Sequence, residues 1–118
     1  MNLPNADRAI VDESKVVDYL LSARHPDGRA KSAFFSAFGF RAQRWRTFAR
    51  ALRAHEGSGE VAGMSESGYG TRYSVDGVIE TPDGRNPRIR TVWIIDSERG
   101  APRLVTAHPL RRPHASET

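Results

Sequence analysis

Arg88-Ile89-Arg90-Thr91-Val92-Trp93-Ile94-Ile95-Asp96 is the stretch on which the fold turns. Its side chains alternate: Ile89, Thr91, Trp93 and Ile95 point one way, and Arg88, Arg90, Val92 and Ile94 the other. That period of two is the signature of a strand with one face in a core. Upstream, Thr81-Pro82-Asp83-Gly84-Arg85 has the chemistry of a tight turn. Before it, Tyr69 to Glu80 reads as another strand, with Gly77 suggesting a bulge or bend inside it. Glu60 to Met64, after Gly57-Ser58-Gly59, is a weaker strand candidate. Downstream, Ser97 to Ala101 turns the chain and Arg103 to His108 returns as a last strand. Connections this short favour an antiparallel meander over crossovers.

Further back the period changes to that of helices. Asp12 is placed to cap a helix running to about Ser22, with Val16, Val17, Leu20 and Leu21 as its apolar stripe. Pro26 disfavours helical geometry at His25 and ends that segment. A second helix, Arg29 to Phe38, carries Phe34, Phe35 and Phe38, and Gly39 suits its stop. A third, Arg41 to His55, spaces Trp45, Phe48, Ala49 and Leu52 at i, i+3, i+4 and i+7. Trp45, Phe48 and Leu52 are expected to pack inward with Phe34 or Phe38 against the sheet. The predicted fold class is α+β: three N-terminal helices packed on a C-terminal antiparallel sheet of three to four strands. It forms a single domain, 1–118, with a helical half at about 12–55, a sheet half at about 60–108 and a flexible tail at about 111–118.

Composition narrows the function classes. A chain of 118 residues has the size of one domain, and 38% hydrophobic with 27% charged residues suits a packed core rather than disorder. No cysteine is present, which removes disulfide scaffolds, thiolate zinc sites and cysteine nucleophiles. Val92-Trp93-Ile94-Ile95 is far short of the ~20 apolar residues that span a bilayer. Asn2 to Arg8 is polar and no signal-peptide h-region follows, so a cytoplasmic location with no membrane partner is expected. His25, His55, His108 and His114 lack metal-ligand spacing, and phosphate-loop and dinucleotide patterns are missing; no metal and no cofactor are expected.

Charge is uneven. Eighteen Lys and Arg face fourteen Asp and Glu. Between Ala23 and His55, however, Arg24, Arg29, Lys31, Arg41, Arg44, Arg46, Arg50 and Arg53 are opposed only by Asp27. Such a block suits a phosphate backbone or an acidic protein partner, or it simply solvates the helices. At the entrance of the second helix, His25, Arg29 and Lys31 lie where free N–H groups and the helix dipole attract anions. Metal-free RNA cleavage needs a base for the 2′-hydroxyl, an acid for the leaving oxygen and cations for the pentavalent transition state. His25 fits either proton role, and Lys31 or Arg90 the third. The alternative for His25 is a turn-fixing hydrogen bond to the backbone, and for Lys31 a solvated helix position. Thr91, Thr106 and His108 would share a face if the last two strands pair in the right register, whereas Arg90 lies opposite Thr91. Tyr69 is a strand tyrosine able to stack on bases, as is Tyr73.

Several segments together resemble a known family. They are Leu3-Pro4-Asn5-Ala6, Tyr19-Leu20-Leu21, His25-Pro26-Asp27-Gly28-Arg29-Ala30-Lys31, Phe34-Phe35 and Phe38-Gly39-Phe40. The second half adds Tyr69-Gly70-Thr71-Arg72-Tyr73, Arg90-Thr91-Val92-Trp93-Ile94-Ile95 and Pro102-Arg103-Leu104-Val105-Thr106-Ala107. The chain resembles, from Leu3 to about Leu110, small bacterial domains of unknown function. Members occur as C-terminal modules of phage-structural and polymorphic-toxin proteins and as short stand-alone reading frames. That family resembles, more distantly, the barnase–EndoU–colicin–RelE class of metal-independent ribonucleases, an analogy of fold only.

The resemblance implies a toxin-like, metal-independent endoribonuclease, with RNA and a small acidic antitoxin or immunity protein as partners. His25, Lys31, Arg90, Thr91 and Thr106 form the candidate catalytic set. Arg29, Arg46, Arg50, Arg53, Tyr69 and Arg72 form the candidate RNA-binding set. His108 departs from the aromatic residue more usual in the family and is given no catalytic role. The competing expectation is a non-catalytic interaction domain, immunity-like, antitoxin-like or scaffolding, that grips a partner through its basic face.

Overall fold

The computed structural model describes residues 2–96 and 100–110, and everything below concerns those residues. The expected tail at 111–118, and Ser97 to Arg99 of the expected turn, lie outside them. The α+β order holds, with helical segments first and the sheet second. A 3-10 turn at Ala6–Arg8 precedes α1, which starts as an α-helix at Glu13–Lys15 and continues as a π turn at Val16–Leu20. Helix α2 spans Arg29–Ala37; after a 3-10 turn at Ala42–Arg44, α3 spans Trp45–Ser58. Strands β1 (Glu60–Ser67), β2 (Gly70–Val78), β3 (Arg88–Ile95) and β4 (Arg103–Pro109) form one antiparallel sheet in the order β1-β2-β3-β4. Among the described residues no helix is long and apolar enough to cross a membrane.

The helical half departs from the periodicity in its first element. Leu21 N–H bonds to the Val16 carbonyl at 2.8 Å, an i→i+5 closure that widens the turn and ends the helix at Leu20 rather than Ser22. Val16 and Leu20 are buried as the stripe requires, while Val17 and Leu21 are half-buried. Asp12 makes no side-chain cap. Its carboxylate instead accepts a hydrogen bond from Arg103 Nη1 at 2.9 Å, tying the start of α1 to the start of β4. Helix α2 stops as expected: Gly39 follows with φ 106°, a conformation that suits glycine.

The core lies between the helices and one face of the sheet. Ile89, Thr91, Trp93 and Ile95 are all buried on the face the alternation predicted. Phe48 is fully buried, stacks on Phe40 with ring centres 4.2 Å apart and meets Phe35 at 4.8 Å. Trp45 is a partial correction to the inward set: it packs against the core but is only half-buried, and the Arg46 guanidinium lies 5.0 Å from its ring. The α-helix begins at Trp45 itself, so this first-turn residue reaches the rim of the core rather than its centre. Gly77 is a second correction. It stays in register opposite Ile89, and the irregularity falls on β1 between Val61 and Gly63. A Cβ at Gly77 would meet Gly59 Cα at 3.3 Å and His55 Nε2 at 3.6 Å, so its bareness makes room for the buried His55 ring.

His55 sits in a polar network inside the apolar core. Trp93 Nε1–H donates to Thr91 Oγ1 at 2.8 Å, and Thr91 Oγ1 lies 3.1 Å from His55 Nδ1. His55 Nε2 faces the carbonyls of Gly77 and Ile89, each at 3.2 Å. Two carbonyls can only accept, so Nε2 carries the proton and the Thr91 hydroxyl donates to Nδ1. Burial lowers the imidazole's pKa and keeps it in this neutral form.

Candidate functional site

Register decides which polar residues meet. Thr91 pairs with Ala107, Val92 with Thr106 and Arg90 with His108, with Val105 as the extra residue of a bulge in β4. Side chains alternate along a strand, so Thr106 and His108 belong to the face of Val92 and Arg90, not to that of Thr91. This overturns the expected grouping of Thr91, Thr106 and His108. Thr91 is fully buried among His55 and Trp93 and is out of reach of a substrate on the open face.

Tyr19 is the centre of the cluster that does form. Lys31 Nζ donates to Tyr19 Oη at 2.6 Å, and Tyr19 Oη lies 3.1 Å from Thr106 Oγ1. The His25 ring packs edge-on against Tyr19, centres 4.8 Å apart. Lys15 Nζ lies 5.2 Å from the centre of the same ring. Three separate pieces of chain are joined here: α1 with its π turn, the loop and first turn of α2, and edge strand β4. Glycine makes the junction close. A Cβ at Gly28 would fall 2.2 Å from the Tyr19 carbonyl oxygen, so a side chain there would push the α2 entrance away from α1.

Local chemistry follows from these contacts. Asp27 N–H donates to His25 Nδ1 at 3.0 Å, so the turn-fixing bond is present. It also fixes the tautomer: with Nδ1 accepting, a neutral ring carries its proton on Nε2. Burial pushes the Tyr19 phenol's pKa up. Hydrogen bonds with Lys31 and Thr106, and the charges of Lys31 and Lys15, outweigh it and hold the phenol below its ordinary value. Tyr19, His25, Lys31 and Thr106 are all partly exposed, so a solute has access to them.

The remaining candidates are more dispersed. Arg90 shares the face of Thr106, but its guanidinium grips Asp76 through two bonds, 2.6 and 2.8 Å. The Arg90 hydrogen bond in turn holds the Asp76 carboxyl below its usual range. Arg72 is exposed on β2, opposite Ile94. Tyr69 is 84% exposed in the β1–β2 turn. Arg29 is exposed on the first turn of α2, close in sequence to Lys31. Arg46, Arg50 and Arg53 are exposed on α3, which packs on β2, whereas Tyr19 and Lys31 lie against β4. The basic block is thus divided between two places. Among the described residues no group of three or more His, Cys, Asp or Glu is gathered to hold a metal ion.

Sequence reasoning missed Tyr19 and Lys15 as site residues. Tyr19 stood among the segments that carry the family resemblance, and it lies beside the apolar stripe of α1. A polar-tipped side chain between Asp18 and buried Leu20 was the available signal.

Fold and site together define a small α+β domain in which helical segments precede a four-stranded antiparallel meander and a Tyr–Lys–His–Thr cluster sits at the edge strand. A family model for a domain of unknown function, DUF6883, matches residues 2–111, and the chain belongs to that family. Among curated proteins none matches. A chain of a contact-dependent growth inhibition toxin–immunity protein complex from Klebsiella pneumoniae 342 is similar in structure. The TM-score is 0.67 at 14% identity, covering 86% of this chain and 99% of that one. The likeness shows a shared fold.

Proposed function

We propose that this domain is a metal-independent endoribonuclease of toxin type, cleaving RNA by attack of the 2′-hydroxyl on the adjacent phosphate. The observation that carries the reading is the meeting of His25, Lys31 and Thr106 around Tyr19 on a partly exposed edge. A proton carrier, cations and neutral hydrogen-bonding groups are the parts such a reaction needs without a metal. His25 exchanges a proton through Nε2, Lys31 supplies positive charge, and Thr106 orients the cluster from β4. Arg29 and Arg72 attract the RNA backbone, and Tyr69 offers a stacking surface. The fold shared with a chain of a growth inhibition toxin–immunity complex supports the toxin class, with a small acidic immunity or antitoxin protein as partner. The substrate would place the domain in the cytoplasm.

A second reading rests on α3. Arg46, Arg50 and Arg53 are exposed on a helix away from the cluster, where a non-catalytic interaction domain would grip an acidic protein. Induction of the wild type and the His25→Ala variant in a heterologous host, with RNA profiling, separates the two. The ribonuclease reading expects growth arrest and new RNA ends with the wild type only. Arrest by both proteins with intact RNA favours the interaction domain.

A further inference from the structure

We propose that Tyr19 is a second proton carrier of this site, the base that removes the 2′-hydroxyl proton, with the positive charge of Lys31 acting through Tyr19. This inference rests on the ribonuclease reading and adds to it the missing half of its proton transfer. Cleavage through the 2′-hydroxyl needs two proton transfers, one on each side of the phosphorus. His25 supplies one, and the group beside it that is able to supply the other is the Tyr19 phenol.

The surroundings of Tyr19 suit a phenolate. Lys31 reaches its oxygen at 2.6 Å, and the ammonium groups of Lys15 and Lys31 lie 5.2 and 4.9 Å from the centre of one ring. Two ammonium groups beside one neutral phenol repel each other, whereas a phenolate between them offsets that repulsion. No carboxylate among the described residues forms a salt bridge with either lysine. The groups facing Tyr19 are Lys15 from its own helix, His25 from the loop, Lys31 from α2 and the uncharged Thr106 from β4. Tyr19 is only half-buried, unlike fully buried Thr91.

The step balances. The Tyr19 phenolate oxygen takes the 2′-hydroxyl proton as the 2′-oxygen bonds to phosphorus. The P–O5′ bond breaks, and the leaving 5′-oxygen takes the proton from Nε2 of the His25 imidazolium, a form in which Nδ1 also carries a proton and has given up the bond from Asp27 N–H. The products are a 2′,3′-cyclic phosphate and a 5′-hydroxyl, with Tyr19 neutral and His25 deprotonated; exchange with water restores both. The two rings pack edge-on with centres 4.8 Å apart, and the proposal places one phosphodiester between Tyr19 Oη and His25 Nε2.

The test uses purified full-length protein, total bacterial RNA and the variants Tyr19→Phe and Lys31→Met, with circular dichroism to verify folding. Tyr19→Phe removes one oxygen and should slow cleavage roughly 10²–10⁴-fold, as loss of a general base does. Lys31→Met should lower the rate and move the alkaline limb of the pH–rate profile to higher pH. Absorbance titration of tyrosinate gives a readout that needs no RNA. The tyrosinate step that Tyr19→Phe removes should fall below the ordinary phenol range in the wild type and move to higher pH in Lys31→Met. Cleavage by Tyr19→Phe at the wild-type rate, or a Tyr19 titration that Lys31→Met leaves unmoved, overturns this proposal and leaves the ribonuclease reading standing. A wild type that cuts no RNA overturns both.

Discussion

Replacing Thr91 by Val tests whether this residue serves the core or the chemistry. Val keeps the shape of the side chain and removes one hydroxyl, which accepts from Trp93 Nε1 at 2.8 Å and meets His55 Nδ1 at 3.1 Å. All three side chains are buried, Thr91 and Trp93 completely. Trp93 loses its acceptor, at about 1–3 kcal/mol for a buried donor left unpaired. His55 keeps its two carbonyl contacts and loses one bond, worth about 1 kcal/mol. The expected destabilisation is therefore about 2–4 kcal/mol, and at this chain length Tm should fall on the order of 10–20 °C. Urea unfolding of wild type, Thr91→Val and Thr91→Ser measures it, and Ser should retain most of the stability because it keeps the hydroxyl. A Thr91→Val protein within about 0.5 kcal/mol of wild type would refute the network.

Three further outcomes are expected. Glu56 is buried with Oε2 unpartnered; burial, and then the charge of Asp7, raise its carboxyl from 4.5 to about 7. The folded chain therefore holds a proton that the unfolded chain releases, so this group makes stability fall by about 3 kcal/mol as pH rises from ~4.5 to ~7. His55 has the opposite sign, since its depressed pKa costs stability as pH falls through the ordinary histidine range; Glu56→Gln should leave that opposite slope alone in a Tm-against-pH series. Phe48→Ala, at a fully buried ring, should cost about 3–5 kcal/mol, and half-buried Trp45→Ala only about 1–2, both read by urea unfolding. Gly28→Ala should destabilise by about 1–3 kcal/mol and loosen the Tyr19–Lys31 contact, visible as a change in the tyrosinate titration.

Legibility differed between the two halves of the chain for physical reasons. In β3 every second residue enters the core, and this period is written directly in Ile89, Thr91, Trp93 and Ile95. Gly39 and the turn at Thr81–Arg85 were readable because their backbone geometry demands particular residues; Gly84, for instance, has φ 80°. The π turn at Val16–Leu20 was not, since the same apolar spacing satisfies an ordinary helix. Cross-strand register was also hidden, because the extra residue at Val105 decides which face Thr106 joins. His25 and Lys31 were visible through their placement at a helix entrance. Tyr19 was not visible as their partner, because the contact depends on how α1, α2 and β4 pack together, separations of 12 and 87 residues along the chain.

In the proposed function, His25 and its neighbours cut RNA without a metal. Purified wild type and His25→Ala, incubated with total RNA in excess EDTA, test it through the chemistry of the new ends. Wild type should yield 2′,3′-cyclic phosphate and 5′-hydroxyl termini, and His25→Ala should be slower by roughly 10²–10⁴-fold. Intact RNA with wild type, or cleavage by His25→Ala at an unchanged rate, would overturn the ribonuclease proposal.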